Sequence, residues 1–80
     1  MFYAYILYNS IKNRFYTGQT EDIAARLQGH NSGKVKSTKS GTPWKLKHHE
    51  AFATRTEAVR KEMQIKKRGA KRYLENFNTS

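Results

Sequence analysis

Phe2-Tyr3-Ala4-Tyr5-Ile6-Leu7-Tyr8, then Asn9-Ser10-Ile11-Lys12-Asn13, then Phe15-Tyr16-Thr17-Gly18 is the stretch that decides the fold. Two runs of aromatic and β-branched residues around a segment of turn formers predict a β-hairpin with a medium-length loop. That pairing sets Tyr5 and Tyr16 nearly opposite each other, where facing Cβ atoms lie roughly 4.5–5.5 Å apart. Tyrosine is a favoured strand residue, and two neighbouring phenols ordinarily just cover a sheet face. The residues beyond Gly18 give reason to ask more of them.

Thr20-Glu21-Asp22 predicts the start of a first helix, with Thr20 as N-cap and two acids in the first turn, and Asn31-Ser32-Gly33 stops it after about His30. Ile23 and Leu27 share its inward stripe. Arg26 and His30, one turn apart, sit on the border of that stripe where the helix meets the hairpin. Taken singly, Arg26 is a snorkelling arginine and His30 a histidine at a helix C-terminus. Residues 31–43 form a polar connection whose Lys34, Lys36 and Lys39 either touch phosphates or are plain solvated linker.

Residues 44–53 predict a third strand, with Trp44, Leu46, His48, Glu50 and Phe52 on one parity; its imperfect alternation leaves burial only partly predictable. His48-His49 is not a metal pair, because adjacent strand residues point to opposite faces. Thr54-Arg55-Thr56-Glu57 is a capping box that opens a longer helix, broken by Gly69 after Arg68. Ala58, Val59, Met63 and Ile65 fill one arc of this helix, and Glu62 falls near its middle. An inward acid is costly unless it is paired or bound to a cation, and Lys66, one turn on, is its local partner. Ala70, Tyr73, Leu74 and Phe77 follow the spacing of a short third helix. The order β-β-α-β-α-α predicts an α+β fold, a small three-stranded antiparallel sheet flanked by helices, in one domain over residues 1–80.

Composition narrows the function. Sixteen Lys and Arg oppose six Asp and Glu, a formal net charge of +10, so the domain attracts polyanions. Eight of the sixteen basic residues lie between Arg55 and Arg72, mostly on outer helix faces. Nucleic acid is the expected partner. A membrane surface is not expected, because no segment joins a basic face to a large apolar one. Without cysteine there is no disulfide framework or thiolate site, and no stretch reaches the length of a membrane span. With no signal-peptide pattern at its start, a cytoplasmic monomer without a small-molecule cofactor is the expectation.

With these residues placed, the chain resembles a GIY-YIG nuclease domain, of the small single-domain bacterial type related to the N-terminal nuclease domain of the DNA-repair excinuclease. The two signature tripeptides stand here as Tyr3-Ala4-Tyr5 and Tyr16-Thr17-Gly18, and Ala25-Arg26-Leu27-Gln28-Gly29-His30 resembles the family's arginine helix. Pro43-Trp44-Lys45-Leu46 and the Glu57–Lys67 segment resemble its later strand and acidic helix. Tyr3, Ala4 and Thr17 depart from the signature without touching its tyrosines. Lys47-His48-His49 is more polar than the family pattern, and a late asparagine of the site is matched by Asn76, by Asn78 or by neither.

The resemblance implies hydrolysis of phosphodiester bonds in DNA, with RNA or branched DNA as the other substrates, using one divalent cation, Mg²⁺ or Mn²⁺. It gives Tyr5 the role of general base and has Tyr16 position water or phosphate. Arg26 would clamp the phosphate oxygens, His30 would be a secondary proton carrier or a hydrogen-bond donor to the phosphate, and Glu62 would hold the metal. Arg60, Lys66 and Lys67, with the three loop lysines, are the expected nucleic-acid contacts. Tyr5 needs positive surroundings to work near neutral pH, and the net charge and Arg26 are expected to lower its pKa. The competing reading is a basic nucleic-acid-binding module that keeps the fold without turnover.

Overall fold

The structure, a computed structural model, describes residues 1–32 and 43–78, with side chains as far as residue 76. The strands are β1 (Phe2–Asn9), β2 (Arg14–Thr20) and β3 (Lys45–Phe52). The helices are α1 (Ile23–Asn31), α2 (Arg55–Arg68) and α3 (Ala70–Asn78). The sheet order is β2-β1-β3 with both pairings antiparallel, so the expected α+β architecture and element order are present. The central strand is covered on both faces: Ala4, Tyr5, Ile6 and Leu7 are buried. Ala4 and Ile6 pack with Ile65 and Tyr73 under α2 and α3, while Tyr5 and Leu7 pack with Trp44, Tyr16 and Leu27 under α1.

The hairpin register differs from the sequence expectation. Tyr5 faces Gly18, and Tyr16 faces Leu7. Asn9 and Arg14 are paired strand residues, and Asn13 closes the turn at φ 51°, which moves the pairing by two positions. A shift of two keeps every side chain on its face, so the tyrosines become diagonal neighbours instead of direct ones. Asn side chains hold the loop: Asn9 Oδ1 accepts from the Lys12 amide at 2.9 Å, and the Tyr8 hydroxyl donates to Asn13 Oδ1 at 2.8 Å. Asn9 Nδ2 also donates to the Pro43 carbonyl at 3.0 Å, and Asn31 hydrogen-bonds both backbone groups of Trp44, tying down the entry to β3.

Three further local readings change. Asp22, not Thr20, caps α1: its Oδ1 accepts from the Ala25 amide at 3.1 Å, while Thr20 is still paired in β2 with Tyr3. No acid then lies in the first turn of α1. In β3 the residues 44–52 do not share one face, because Ile6 pairs with His48 and Leu7 with Leu46. Lys47 is the extra residue of a β-bulge, so Leu46 faces α1 whereas His48 and Phe52 face α2 and α3. On α2, Met63 is 64% exposed, not inward, since the buried line runs through Ala58 and Ile65 with Glu62 between them.

The capping box on α2 forms as expected, Thr54 Oγ1 accepting from the Glu57 amide at 3.2 Å. Gly69 ends the helix at φ 94°, a left-handed value that costs a side-chain-bearing residue energy. On the α2/α3 face Glu50 collects Tyr73 and His48 as hydrogen-bond donors, with Lys61 Nζ at 4.0 Å. Burial opposes ionisation of Glu50, but those two hydrogen bonds and the Lys61 charge outweigh it and hold its pKa below the ordinary value. Burial and the same carboxylate push Tyr73 up.

Candidate active site

Tyr5 leaves β1 toward the α1 face and lies across its strand partner. A Cβ on Gly18 would sit 2.6 Å from the Tyr5 hydroxyl oxygen and 3.2 Å from Tyr16 Cε1. Only glycine leaves that space, which makes Gly18 the floor under both phenols. The sequence carried the signal, since a glycine inside a strand marks a close approach, but its place in the signature tripeptide had suggested no role of its own. We expect Gly18→Ala to push both rings aside, at a cost of about 1–3 kcal/mol in stability. Thermal melts of the parent chain and the variant, run side by side, check that cost.

Around the two phenols stand the other expected residues. The Tyr5 hydroxyl is 3.1 Å from His30 Nε2, and the His30 ring is fully buried with its centroid 4.6 Å from that of Tyr16. Trp44, which sequence reasoning left as a strand residue, closes the far side with its ring centroid 6.4 Å from that of Tyr16. Arg26, exposed and one turn before His30, is near enough for its guanidinium to favour the ionised form of Tyr5. Among the described residues no ion pair engages Arg26. It shares the rim of a concavity of about 350 Å³ with Gln19, Thr20, the acids Glu21 and Asp22, and Arg55, which is paired with Glu21 at 3.2 Å. Glu62 is close enough for its charge to act on Tyr5, and it lies half-buried with Lys66 Nζ at 2.7 Å.

The protonation states differ from expectation in one respect. Burial, then the neighbouring Tyr16, push Tyr5 up to about 12, against the opposing pull of Arg26. The net positive charge does not reach a hydroxyl this enclosed strongly enough to lower it. Tyr5 therefore keeps its proton at neutral pH, and its hydroxyl shares one hydrogen bond with His30 Nε2. Burial, then Arg26, lower the pKa of His30 and favour its neutral ring. A buried histidine with a depressed pKa contributes stability that is full above its unfolded value, about 6.5, and is lost as pH falls toward the folded value. Melting temperatures should begin to drop just below pH 6.5, and His30→Gln should remove that first drop. A second loss, from Glu50, belongs below about pH 4.5.

Of the expected nucleic-acid contacts, Arg60 and Lys67 are exposed on α2, while Lys66 is engaged with Glu62. Lys34, Lys36 and Lys39 lie outside the described residues. Asn76 turns toward Arg68, its side-chain oxygen accepting from Nε at 2.9 Å once the amide is oriented to meet the donors. The Asn78 side chain lies outside the described residues, as does that of Phe77. No helix among the described residues is long and apolar enough to cross a membrane.

The family described as the GIY-YIG catalytic domain matches residues 1–76. A UPF0213 protein of Syntrophus aciditrophicus is 49% identical over 67 residues, 81% of this chain and 76% of that protein. One from Bacillus pumilus is 42% identical over 65 residues, 80% of this chain and 65% of its own length. The solution structure of the UPF0213 protein BH0048 from Bacillus halodurans superposes with a TM-score of 0.58 at 32% identity, covering 98% of this chain and 84% of that one.

Proposed function

The chain belongs to the GIY-YIG catalytic domain family, and from that membership we propose that it is a metal-assisted endonuclease that hydrolyses phosphodiester bonds in DNA. The observation that carries the reading is the Tyr5 hydroxyl, held over Gly18 and bonded to the buried His30, with an exposed arginine beside it. In-line attack on phosphorus needs a water that loses its proton, cations for the developing charge, and a way out for that proton. Here the water gives its proton to the Tyr5 oxygen as Tyr5 passes its own to His30 Nε2. A P–O bond forms to the water oxygen while the bond to the leaving oxygen breaks, and that oxygen takes its proton from solvent water. The relay keeps phenolate from accumulating, which suits a phenol whose pKa is about 12. Arg26 holds the non-bridging phosphate oxygens through its fork of donors, and Tyr16 orients water and phosphate.

Glu62 would hold the Mg²⁺ or Mn²⁺ ion. Among the described residues no group of three His, Cys, Asp or Glu side chains gathers, so an all-protein cage is not available. One half-buried carboxylate does fit a hard ion that keeps most of its waters. Lys66, 57% exposed, is free to swing away from it. When bound, the ion supplies charge neutralisation at the scissile phosphate.

The test is cleavage of labelled duplex, branched and single-stranded DNA with Mg²⁺ or Mn²⁺ and with chelator. Arg26→Ala should lower cleavage about 10²–10³-fold, the loss typical of one transition-state donor. It should weaken binding only a few-fold, because many other cations hold the strand. If the intact chain cuts none of these with either metal yet binds them, it is a nucleic-acid-binding module on the same fold.

A further inference from the structure

A second concavity, of about 510 Å³, lies on the face of the sheet away from Tyr5, between the loop end of the hairpin and α3. Its floor is aromatic: Tyr8 and Phe15 are cross-strand partners whose ring centroids lie 4.7 Å apart, both half-buried. Its rim carries Lys47 and Lys71, both exposed, with Glu75 as the acid on α3. Lys47 is the extra residue of the β3 bulge, which aims its ammonium to 5.5 Å from the centre of the Tyr8 ring. A π-face flanked by two cations matches a nucleotide, a planar base joined to an anionic phosphate.

We propose that this concavity holds one unpaired nucleotide of the bound strand, its base against Tyr8 and Phe15 and its phosphate within reach of Lys47 and Lys71. Glu75 supplies the acceptor that an exocyclic amino group of the base would meet. The proposal rests on the reading of this chain as a DNA-binding enzyme and adds a preference to it. Tyr8 is three residues along β1 from Tyr5 and on the other face, roughly 10 Å on. A duplex held at the Tyr5 side thus reaches the pocket only through a flexible single-stranded extension that rounds the hairpin edge. Stacking on aromatic rings is tolerant of base identity, so the preference is for unpaired ends over blunt ones.

The experiment compares the affinity of the full chain for one fluorescent duplex with blunt ends and the same duplex carrying a three-nucleotide extension of either polarity. The extended duplex should bind roughly five- to a hundredfold more tightly, the span that one stacked base supplies. Tyr8→Leu and the double variant Lys47→Ala/Lys71→Ala should each erase most of that difference and leave blunt-duplex affinity within a few-fold. The lysine pair keeps the test independent of any folding defect from the loss of Tyr8. An iodinated pyrimidine in the extension should photocrosslink to Tyr8 or Phe15. Equal affinity for blunt and extended duplex, or a preference that survives both variants, overturns the inference and leaves the nuclease reading standing. No affinity for any of these DNAs overturns both.

Discussion

Tyr5→Phe should lower DNA cleavage about 10²–10⁴-fold, the range supplied by a positioned proton-transfer group, while the chain still folds and binds DNA. The phenyl ring still fills the space over Gly18 and packs with Leu7 and Trp44, so no cavity opens. The loss is the hydrogen bond between the hydroxyl and His30 Nε2, at a cost of about 1–3 kcal/mol where the ring nitrogen is buried. A melting temperature lowered by that amount, with nearly all the activity gone, is the expected pair of results. The pH profile separates the relay from a simpler scheme. If His30 is the final proton acceptor, cleavage rises through the lowered pKa of that histidine and is flat by neutral pH. If Tyr5 acted as free phenolate, the rate would keep climbing toward pH 12. A Tyr5→Phe protein that cuts at the parent rate would end the role of this hydroxyl altogether.

Particular residues show where reading the sequence succeeded and where it could not. The hairpin, the Thr54–Glu57 capping box and the stop at Gly69 are local devices, written in a few adjacent residues, and they appear as read. The register of the hairpin is not local in that sense. It depends on whether Asn9 and Arg14 pair or turn, and two good strand patterns are compatible with the same letters. The bulge at Lys47 arises because β3 serves two cores, Leu46 toward α1 and Phe52 toward α3, and one alternating pattern cannot do both. Glu50 looks like a solvated strand residue until α3 brings Tyr73 to it across a gap of 23 residues. Tyr5, Tyr16, Arg26, His30 and Glu62 could be named together as candidates because they follow a family order. The direction of the Tyr5 shift was not legible, since net charge is visible in a sequence and desolvation is a property of the packed core.

Glu62→Gln should separate enzyme from binding module most directly, because the residue has two partners to choose between. In the structure its Oε2 is 2.7 Å from Lys66 Nζ, an ion pair one turn apart with the lysine largely in solvent. Pairs of this kind contribute about 0.3–0.5 kcal/mol, so removing the charge should leave the melting temperature almost unchanged. Glutamine keeps the shape between Ala58 and Ile65 and loses the anionic oxygen that a hard cation requires. Cleavage should therefore fall at least about 10²-fold, the scale of a lost transition-state electrostatic group, with little rescue by excess Mg²⁺. Binding of Mn²⁺ to the free protein, followed by magnetic resonance or calorimetry, should weaken in parallel. DNA affinity should hold or tighten slightly, since a negative charge facing phosphate has gone. Lys66→Met is the control: it breaks the same ion pair but spares the carboxylate, so its cleavage should fall far less than that of Glu62→Gln. If the two variants lose activity equally, Glu62 serves only to hold Lys66, and the metal site lies elsewhere. If both cut like the parent chain, the carboxylate is a surface helix charge and the cation is held by something other than Glu62.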